Sequence, residues 1–387
     1  MNNIAVLEVG TSKLTVLFGK SGVNGNFNIA GFFDTPYAGY YEGQFVEEEA
    51  LANVIKTALS KAELSLGEQI SKLYVGVPST FSASINVPFT KTFAERTKID
   101  VNILNEIYQE NDQSKNMQEY VLITCSPVSV VLEDGRKMAN PFGQKTSRMS
   151  GELNYIYSEK SFISKINEAL INYGVSTVEY LSSPLCEAMY LLPENKRETG
   201  RIIIDCGFIT TSVAVAQGDG LTLLGSFSVG GGQITSDLCQ CLDISYREAE
   251  NLKKQLILSV VPSQDDVYQI NRIEYVLPIP MKKANDIVCS RLEMICSLIN
   301  KCLARAETNS RNQVIYLTGG GISFIKGAKD YMSKLLGCNV EILVPPDINY
   351  QKPNYSESLG LLNAAIKKEQ KNENKFVSFF KNLFKKR

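Results

Sequence analysis

The sequence of 387 residues contains no histidine and no tryptophan. Without histidine, the chain cannot be a hydrolase of the Ser-His-Asp or Cys-His type, a zinc enzyme with imidazole ligands, or an enzyme that forms phosphohistidine. Any proton transfer must use carboxylates, water or a metal ion. This restriction favours chemistry that depends on positioning and electrostatics rather than on covalent catalysis.

Strong net charge and long apolar runs are also lacking. The formal net charge is −1, so no global field would recruit nucleic acid, and we expect no nucleic-acid partner. We expect neither a signal peptide nor a transmembrane segment. The nine cysteines include no C-x-x-C pair, which indicates reduced thiols in a cytosol. Cys239 and Cys241 offer two thiolates, but without histidine we expect no structural zinc site.

Three glycine-containing turns, at residues 8–13, 205–211 and 317–321, each follow an apolar, β-rich run. Glycine lets backbone N–H groups approach phosphate oxygens, and serine and threonine hydroxyls add donors. One such turn is usually structural, so the prediction of a nucleotide site depends on all three together. The residues of these turns that we expect to bind nucleotide are Gly10, Thr11, Ser12, Lys13, Gly207, Thr210, Thr211, Gly319, Gly320 and Gly321.

Charged side chains accompany these turns. Glu8 and Asp205 end their strands where a divalent cation bridging phosphates would need oxygen ligands, so we expect them to bind Mg²⁺. Lys13 is expected to place a positive charge near the β- or γ-phosphate; its alternative role is that of a solvated strand residue. The sequence therefore predicts a cleft for ATP with Mg²⁺.

The order of these motifs resembles the superfamily of actin, sugar kinases and heat-shock chaperone ATPases. Within it, the chain is most similar to the FtsA family of bacterial cell-division proteins. Further matches to that family lie at residues 229–238 (VGGGQITSDL), 248–253 (EAENLK) and 353–361 (PNYSESLGL), with Gly327 at a later turn. The resemblance covers nearly the whole chain.

The resemblance adds nucleotide-binding residues. It implies that Gly230, Gly231, Glu250 and Lys253 bind the nucleotide, with the last two at the ribose and base. Glu250 and Lys253 lie three residues apart and share a helix face, so a surface ion pair is the alternative.

Two departures from the family pattern concern the phosphates. The second turn has Phe208 and Ile209 in place of glycines and ends at Ser212 instead of Asp. Bulky residues adopt a positive φ only at a cost and add bulk where the backbone would approach phosphate. Ser183 lies where the chaperones have a glutamate that orients water. We therefore expect loose or altered nucleotide binding and at most slow ATP hydrolysis, in a protein that is mainly a structural adaptor.

The predicted fold class is α/β: two actin-like, ribonuclease-H-like duplicated domains with an FtsA-type inserted subdomain and a C-terminal amphipathic helix. The expected units are 1–80 with 161–200 (first core), 81–160 (insert), 201–237 with 309–366 (second core), 238–308 (outer subdomain), 367–375 (flexible linker) and 376–387 (membrane helix). Helices are expected at residues 47–62, 100–110, 161–173, 183–192, 285–306 and 324–336, with a closing helix that ends near Lys368.

The insert carries matches to the family's own insert motif, at Asp134, Gly135, Pro141, Gly143, Arg148 and Glu152. The resemblance implies that this unit contacts a neighbouring subunit, so that the protein forms a homopolymer. A plain αβ insertion without such a role is the alternative.

The C-terminal segment has an apolar stripe at helical spacing, formed by Phe376, Phe379, Phe380, Leu383 and Phe384. Lys381, Lys385 and Lys386 add positive charge. A short, aromatic and basic amphipathic helix is typical of an anchor on an anionic membrane surface, and the family ends in a similar element. A helix that docks on the protein's own body is the alternative.

The resemblance also implies a partner, the C-terminal tail of the tubulin-like protein FtsZ. The matching positions are Ser236, Asp237 and Arg291, where Arg291 is expected near the start of a long helix; a solvated surface is the alternative. These inferences predict a peripheral protein on the cytoplasmic side of the cell membrane, at the division septum. An assembly platform like the pilus protein PilM, a divergent FtsA paralogue with weak nucleotide binding, and a sugar or acetate kinase remain open. A chaperone is disfavoured because no substrate-binding domain follows.

Overall fold

The computed structural model describes residues 3–22, 27–41, 44–45, 48–306 and 313–384. In chain order its strands are β1 (Ile4–Val9), β2 (Lys13–Ser21), β3 (Phe27–Pro36), β4 (Tyr40–Tyr41), β5 (Gln44–Phe45), β6 (Lys72–Val77), β7 (Ser82–Lys98), β8 (Tyr120–Leu132), β9 (Lys137–Met138), β10 (Lys145–Glu159), β11 (Thr177–Ser182), β12 (Arg201–Cys206), β13 (Thr211–Gln217), β14 (Gly220–Phe227), β15 (Val267–Asn271), β16 (Val276–Pro280), β17 (Ile315–Thr318) and β18 (Val340–Ile342).

The helices surround these strands. In chain order they are α1 (Glu48–Leu66), α2 (Val101–Glu110), α3 (Lys160–Tyr173), α4 (Ser183–Leu191), α5 (Glu194–Arg197), α6 (Gly231–Leu242), α7 (Tyr246–Lys253), α8 (Met281–Leu303), α9 (Ala328–Leu336) and α10 (Ser356–Phe384).

Two five-stranded sheets have the same connectivity. The first sheet has the strand order β11-β6-β1-β2-β3. The second sheet, read from the corresponding edge, has the order β18-β17-β12-β13-β14. In each sheet three consecutive strands pair antiparallel, and two later strands add in parallel at the other side. The shared order confirms the predicted internal repeat.

Each sheet is covered by helices because its central strands are apolar on both faces. In the first sheet, Leu7 and Val16 pack with α1 and α3, whereas Val6 and Leu17 pack with α10. In the second sheet, Ile204 belongs to the core under α6 and α8. The carboxyl ends of β1 and β12 are thereby fixed between helices, which positions the turns that follow them.

Strands β7, β10, β8 and β9 form a separate antiparallel sheet within the predicted insert. Its strands β7, β8 and β10 are long, with 17, 13 and 15 residues. Helix α2 is confirmed, and Asp100 caps it by accepting the Ile103 N–H at 2.9 Å. This sheet also contacts the second half: the Leu221 N–H donates to the buried Asn154 side chain at 3.0 Å. The exact domain limits stay predictions.

Helix boundaries differ most near the C-terminus. Helix α8 begins four residues earlier than expected, and α9 begins only at Ala328, after Gly327 with a φ of 83°. The expected end near Lys368 and the expected flexible linker 367–375 are wrong, since α10 is continuous from Ser356 to Phe384. Lys, Glu and Gln are good helix formers, no Gly or Pro interrupts this stretch, and extending an existing helix avoids the cost of nucleation.

Among the residues described, no helix combines the length and the apolar character that crossing a bilayer requires.

Candidate functional site

The three glycine turns converge on one cavity of about 260 Å³ between the two sheets. Of the predicted nucleotide-binding residues, those that line the cavity are Gly10, Thr11, Ser12, Lys13, Gly207, Thr210, Glu250, Lys253, Gly319, Gly320 and Gly321. Glu8 and Asp205, the predicted Mg²⁺ ligands, line it as well. Ligand pockets usually enclose about 300–1,000 Å³, so this cleft is slightly smaller than a typical ligand site.

The first turn depends on a glycine. The Gly10 N–H donates to the Lys13 carbonyl at 3.1 Å, and a Cβ at position 10 would lie 2.8 Å from that oxygen. The Lys13 ammonium lies in the cavity wall but forms an ion pair with Asp34 at 2.8 Å. Lys13 is therefore neither a free charge nor a merely solvated residue, and a phosphate would compete with Asp34 for it.

The second turn repeats this geometry without strain. The Gly207 N–H donates to the Thr210 carbonyl at 2.9 Å. Within the described ranges, Asp243 is the one non-glycine residue with a positive φ, so the expected strain at Phe208 and Ile209 is absent. The expected bulk is present, because Phe208 lines the cavity.

The two phosphate turns also touch each other. The Ile209 N–H donates to the Thr11 hydroxyl at 3.1 Å across the cleft. Both groups belong to the turns that we predicted to hold phosphates. In this structure, the hydrogen bond joins the two halves of the molecule directly.

Glycine loops behind the second turn hold it in place. The Gly231 N–H donates to Gly207 at 2.9 Å, the Gly232 N–H to Phe208 at 2.6 Å, and the Gly321 N–H to Cys206 at 2.7 Å, each to a carbonyl oxygen. Gly230 and Gly231 therefore lie behind the cavity, where they support the turn. Thr211 is also placed away from the cavity: it is buried, and its hydroxyl donates to the Val229 carbonyl at 2.6 Å.

Glu250 and Lys253 form an ion pair at 2.8 Å on α7. Lys253 is 2 % exposed and also donates to the Gly231 carbonyl at 2.9 Å and to the Thr235 hydroxyl at 2.8 Å. Burial lowers the pKa of Lys253. The pair is thus neither a surface salt bridge nor a pair of free ligands; it fastens α7 to the glycine-rich start of α6.

The cleft contains more carboxylates than we predicted. Besides Glu8 and Asp205, the side chains of Glu187 on α4 and Glu357 on α10 line the cavity. Neither was predicted, although an isolated acid in the apolar sequence Pro-Leu-Cys-Glu-Ala-Met is a signal that could have identified Glu187.

Three of these four carboxylates have a buried oxygen atom that makes no hydrogen bond. Within the described parts of the chain, these atoms are Glu8 Oε2, Glu187 Oε1 and Asp205 Oδ1. Burial raises the pKa of Glu8 to about 7, against the opposing effect of Lys13, and raises that of Asp205 to about 6. Buried, unpartnered carboxylates facing a cleft fit a divalent cation, so the residues present suit Mg²⁺.

Two of the three residues predicted to bind FtsZ, Asp237 and Arg291, form an ion pair with each other. Arg291 holds Asp237 through two hydrogen bonds, Nε to Oδ2 at 2.6 Å and Nη2 to Oδ1 at 2.7 Å. The Ser236 hydroxyl donates to the Gly232 carbonyl at 3.1 Å. Because α8 begins at Met281, Arg291 lies near the middle of that helix, and its expected place at the helix start is wrong.

The predicted membrane residues lie on the last part of α10, which ends at Phe384. Phe376, Phe379, Phe380, Lys381, Leu383 and Phe384 belong to this helix, whereas Lys385 and Lys386 lie outside the described residues. The spacing of the aromatic positions places them along one side of a helix.

The chain is similar to known proteins along most of its length. The family model of the cell division protein FtsA matches residues 202–360. FtsA of Streptococcus pneumoniae is 25 % identical over 363 residues, which cover 92 % of this chain and 78 % of that protein. FtsA of Bacillus subtilis is 24 % identical over 369 residues, covering 93 % and 83 %. FtsA of Escherichia coli is 22 % identical over 373 residues, covering 92 % and 88 %.

Solved structures share the architecture. The PilM–PilN type IV pilus biogenesis complex superposes with a TM-score of 0.64 at 17 % identity, covering 94 % of this chain and 98 % of that one. MreB5 of Spiroplasma citri bound to ADP gives a TM-score of 0.59 at 12 % identity, covering 97 % and 99 %. These likenesses confirm the actin-like fold. In sequence the chain is thus similar to the cell division protein FtsA, and its fold is actin-like.

Proposed function

We propose that this chain is an ATP-binding, actin-like cell-division protein that polymerises on the inner face of the cytoplasmic membrane. There it would tether FtsZ filaments at the division septum. The observation that carries the proposal is the convergence of three glycine turns, with two acid-bearing strand ends, on one cleft between repeated sheets. MreB5 of Spiroplasma citri, on the same fold, has been solved with ADP and with AMPPNP.

In the proposed complex the backbone N–H groups and hydroxyls of both phosphate turns bind the triphosphate, and Lys13 leaves Asp34 to contact it. Glu8 and Asp205 would hold Mg²⁺, which would neutralise phosphate charge when bound. Glu250 and the third glycine loop would contact the adenosine. Ser183 supplies no carboxylate for water activation at its position, so hydrolysis is expected to be slow.

Nucleotide binding can be tested by titrating a fluorescent ATP analogue into the intact protein with Mg²⁺. We expect saturable binding that weakens at least tenfold, about 1.4 kcal/mol, when Asp205 is changed to Asn. Glu168→Gln, an exposed acid on α3, is the control and should bind like the wild type. Absence of saturable binding in the wild type would remove the nucleotide part of the proposal.

The proposal that the protein binds a membrane depends on the C-terminal segment, residues 376–387. Each basic residue near an anionic surface contributes about 1 kcal/mol, and large inserted apolar side chains add several kcal/mol. Ordering the helix offsets part of this, so one copy binds reversibly and a filament binds tightly through effective concentration. The predicted insert, 81–160, is the proposed contact between subunits.

Co-sedimentation with vesicles tests the anchor. The full chain should pellet with anionic vesicles, and the double variant Phe379→Glu, Phe380→Glu should stay in the supernatant. Ser378→Glu, which adds charge to the same helix but off the apolar stripe, is the matched control and should weaken binding far less. Equal pelleting of all three proteins would contradict the anchor.

The partner distinguishes the proposal from its main alternative. The PilM–PilN complex shares the fold, so a membrane-associated platform with another partner is the second candidate. Fluorescence anisotropy with a labelled FtsZ C-terminal peptide should show binding that Arg291→Ala weakens. Polymer formation on vesicles without any binding of this peptide would favour the second candidate.

A further inference from the structure

Two helices bring the unpredicted carboxylates together. Helices α4 and α10 cross at Gly360, where an added Cβ would lie 2.8 Å from the Glu187 Cα and 2.9 Å from the Cys186 carbonyl carbon. Glycine is required for this close approach. Glu357 precedes Gly360 by three residues and therefore shares its face of α10. The crossing thus brings both Glu187 and Glu357 to the cavity.

Glu187 is the least compensated of the four carboxylates. Its side chain is buried with only 3 % exposure, and its Oε1 atom has no hydrogen-bond partner in the described parts of the chain. Burial first, and then repulsion from Asp205, Glu357 and Glu8, raises its pKa well above the usual value. Buried charges in proteins are normally paired or bound to a metal, and this side chain faces a cavity instead.

The four carboxylates come from two kinds of element. Within the described ranges, no three Cys, Asp or Glu side chains stand close enough together to hold one ion on their own. Glu8 and Asp205 lie near the ends of the equivalent strands β1 and β12, whereas Glu187 and Glu357 belong to the crossing helices. A hard cation such as Mg²⁺ commonly uses one or two carboxylates and completes its shell with water. Each pair is therefore sufficient for one ion.

We propose that Glu187 and Glu357 form a second divalent-cation site on the floor of the cleft, distinct from the Glu8 and Asp205 pair. Its ion is of the Mg²⁺ or Mn²⁺ class and is bound by two carboxylates and water, without nucleotide. In the proposed nucleotide complex, this ion offsets the repulsion between the carboxylates and a triphosphate, because the Lys13 ammonium alone cannot. This last role rests on the proposed function; the site itself does not.

Electron paramagnetic resonance with Mn²⁺ alone tests the site in the full chain, because the signal of the hydrated ion falls as Mn²⁺ binds. We expect the wild type to bind Mn²⁺ without nucleotide and Glu187→Gln and Glu357→Gln each to bind it about tenfold more weakly, since each loses one of two carboxylate ligands. Glu8→Gln should retain this binding, and Glu168→Gln is the control for charge alone.

Thermal unfolding provides a second readout. Replacing a buried, unpartnered carboxylate with an amide removes a desolvation cost, so Glu187→Gln should fold and melt at a higher temperature than the wild type without metal. At the same Mn²⁺ concentration, the melting temperature of the wild type should rise more than that of Glu187→Gln.

Three outcomes would overturn the site: no Mn²⁺ binding to the wild type, wild-type binding by both helix variants, or loss of all binding in Glu8→Gln. Mn²⁺ binding that depends on Glu187 in a protein that binds no ATP would support the site and refute the nucleotide proposal. The two failures are therefore distinguishable.

Discussion

The two halves of the molecule repeat one sheet but hold their phosphate turns differently. The first turn is closed by its own Gly10 to Lys13 bond and by a bond from the Tyr37 N–H to the Ser12 carbonyl at 2.8 Å. The second turn has the equivalent internal bond and, in addition, accepts hydrogen bonds from Gly231, Gly232 and Gly321. The second turn is thus held by more hydrogen bonds from other segments than the first turn is.

We expect the largest loss of stability from a change at Lys253, because the lysine of the first turn, Lys13, is much less buried. Lys253→Ala removes two hydrogen bonds and an ion pair behind the second turn and leaves a gap in the core. We expect a loss of about 3–4 kcal/mol in the free energy of unfolding. Urea denaturation measures it; Lys13→Ala, which removes a half-exposed ion pair in the first half, should cost less than about 1 kcal/mol. Equal losses would show that the second turn is no better braced than the first.

A smaller loss is expected at the contact between glycine loops. A Cβ at Gly231 would lie 2.5 Å from the Gly321 Cα, so Gly231→Ala must push the two loops apart. Overpacking of this kind costs about 1–3 kcal/mol. Amide hydrogen exchange should show faster exchange at Gly321 and unchanged exchange in β1. Unchanged protection at Gly321 would contradict the bracing.

Phe208 is the main chemical difference between the turns, since the first turn has Thr11 at the equivalent position after its glycine. Phe208→Gly should enlarge the small cleft and expose backbone N–H groups to phosphate. We expect the affinity for an ATP analogue to rise about tenfold, or about 1.4 kcal/mol, as measured by fluorescence titration. Phe142→Ala, which removes an exposed ring in the insert, is the control. Weaker binding by Phe208→Gly would mean that the ring supports the nucleotide.

The bond between the halves can be removed alone. Thr11→Val keeps the shape of the side chain but cannot accept the Ile209 N–H, so it should cost about 1 kcal/mol. Small-angle scattering without nucleotide should show a slightly larger radius of gyration, and the Ile209 amide should exchange faster. Thr11→Ser keeps the acceptor and should resemble the wild type. An unaltered exchange rate of the Ile209 amide in Thr11→Val would show that this hydrogen bond does not hold the two halves together.

The smallest effect concerns peripheral ion pairs, Glu248 with Arg272 in the second half and Glu106 with Lys91 in the insert. The Arg272 guanidinium lowers the pKa of Glu248 from 4.5 to about 2. Because the folded pKa is depressed, the stabilisation is complete above pH 4.5 and is lost as the pH falls towards 2.

Arg272→Gln should therefore lower the stability only slightly at neutral pH, and the difference from the wild type should shrink below about pH 4. Lys91→Gln should cost less, because Glu106 is 57 % exposed. Thermal melts of both variants across this pH range measure the difference. A cost for Arg272→Gln that is independent of pH would assign its effect to packing.

Local signals in the sequence predicted much of this arrangement. The glycine turns, the strand ends at Glu8 and Asp205 and the helix near residues 100–110 depend on residues close together in the chain. The structure contains this helix and brings the turns and both acids to one cavity. The repeat could be predicted for the same reason, since each half opens with the same strand and turn pattern.

Long-range contacts could not be predicted. Lys13 with Asp34 and Asp237 with Arg291 pair across elements whose packing no local pattern determines. Glu187 and Glu357 meet only because two helices cross at Gly360. The prediction of a flexible linker at 367–375 was wrong for another reason. The polar composition of this segment indicated that it cannot form a hydrophobic core, but a segment that extends an already packed helix needs no core of its own.

The continuity of α10 has a mechanical consequence. Its root is fastened to the first sheet, where Glu369 bonds to Lys72 at 2.5 Å and Gln370 to Ser21 at 2.7 Å. From Gln370 to Phe384 the helix rises about 20 Å at 1.5 Å per residue. In the proposed membrane-bound filament, a continuous helix would fix both the distance of each subunit from the lipid surface and its orientation, which a flexible linker would not. Neighbouring subunits would then bind the membrane in the same orientation.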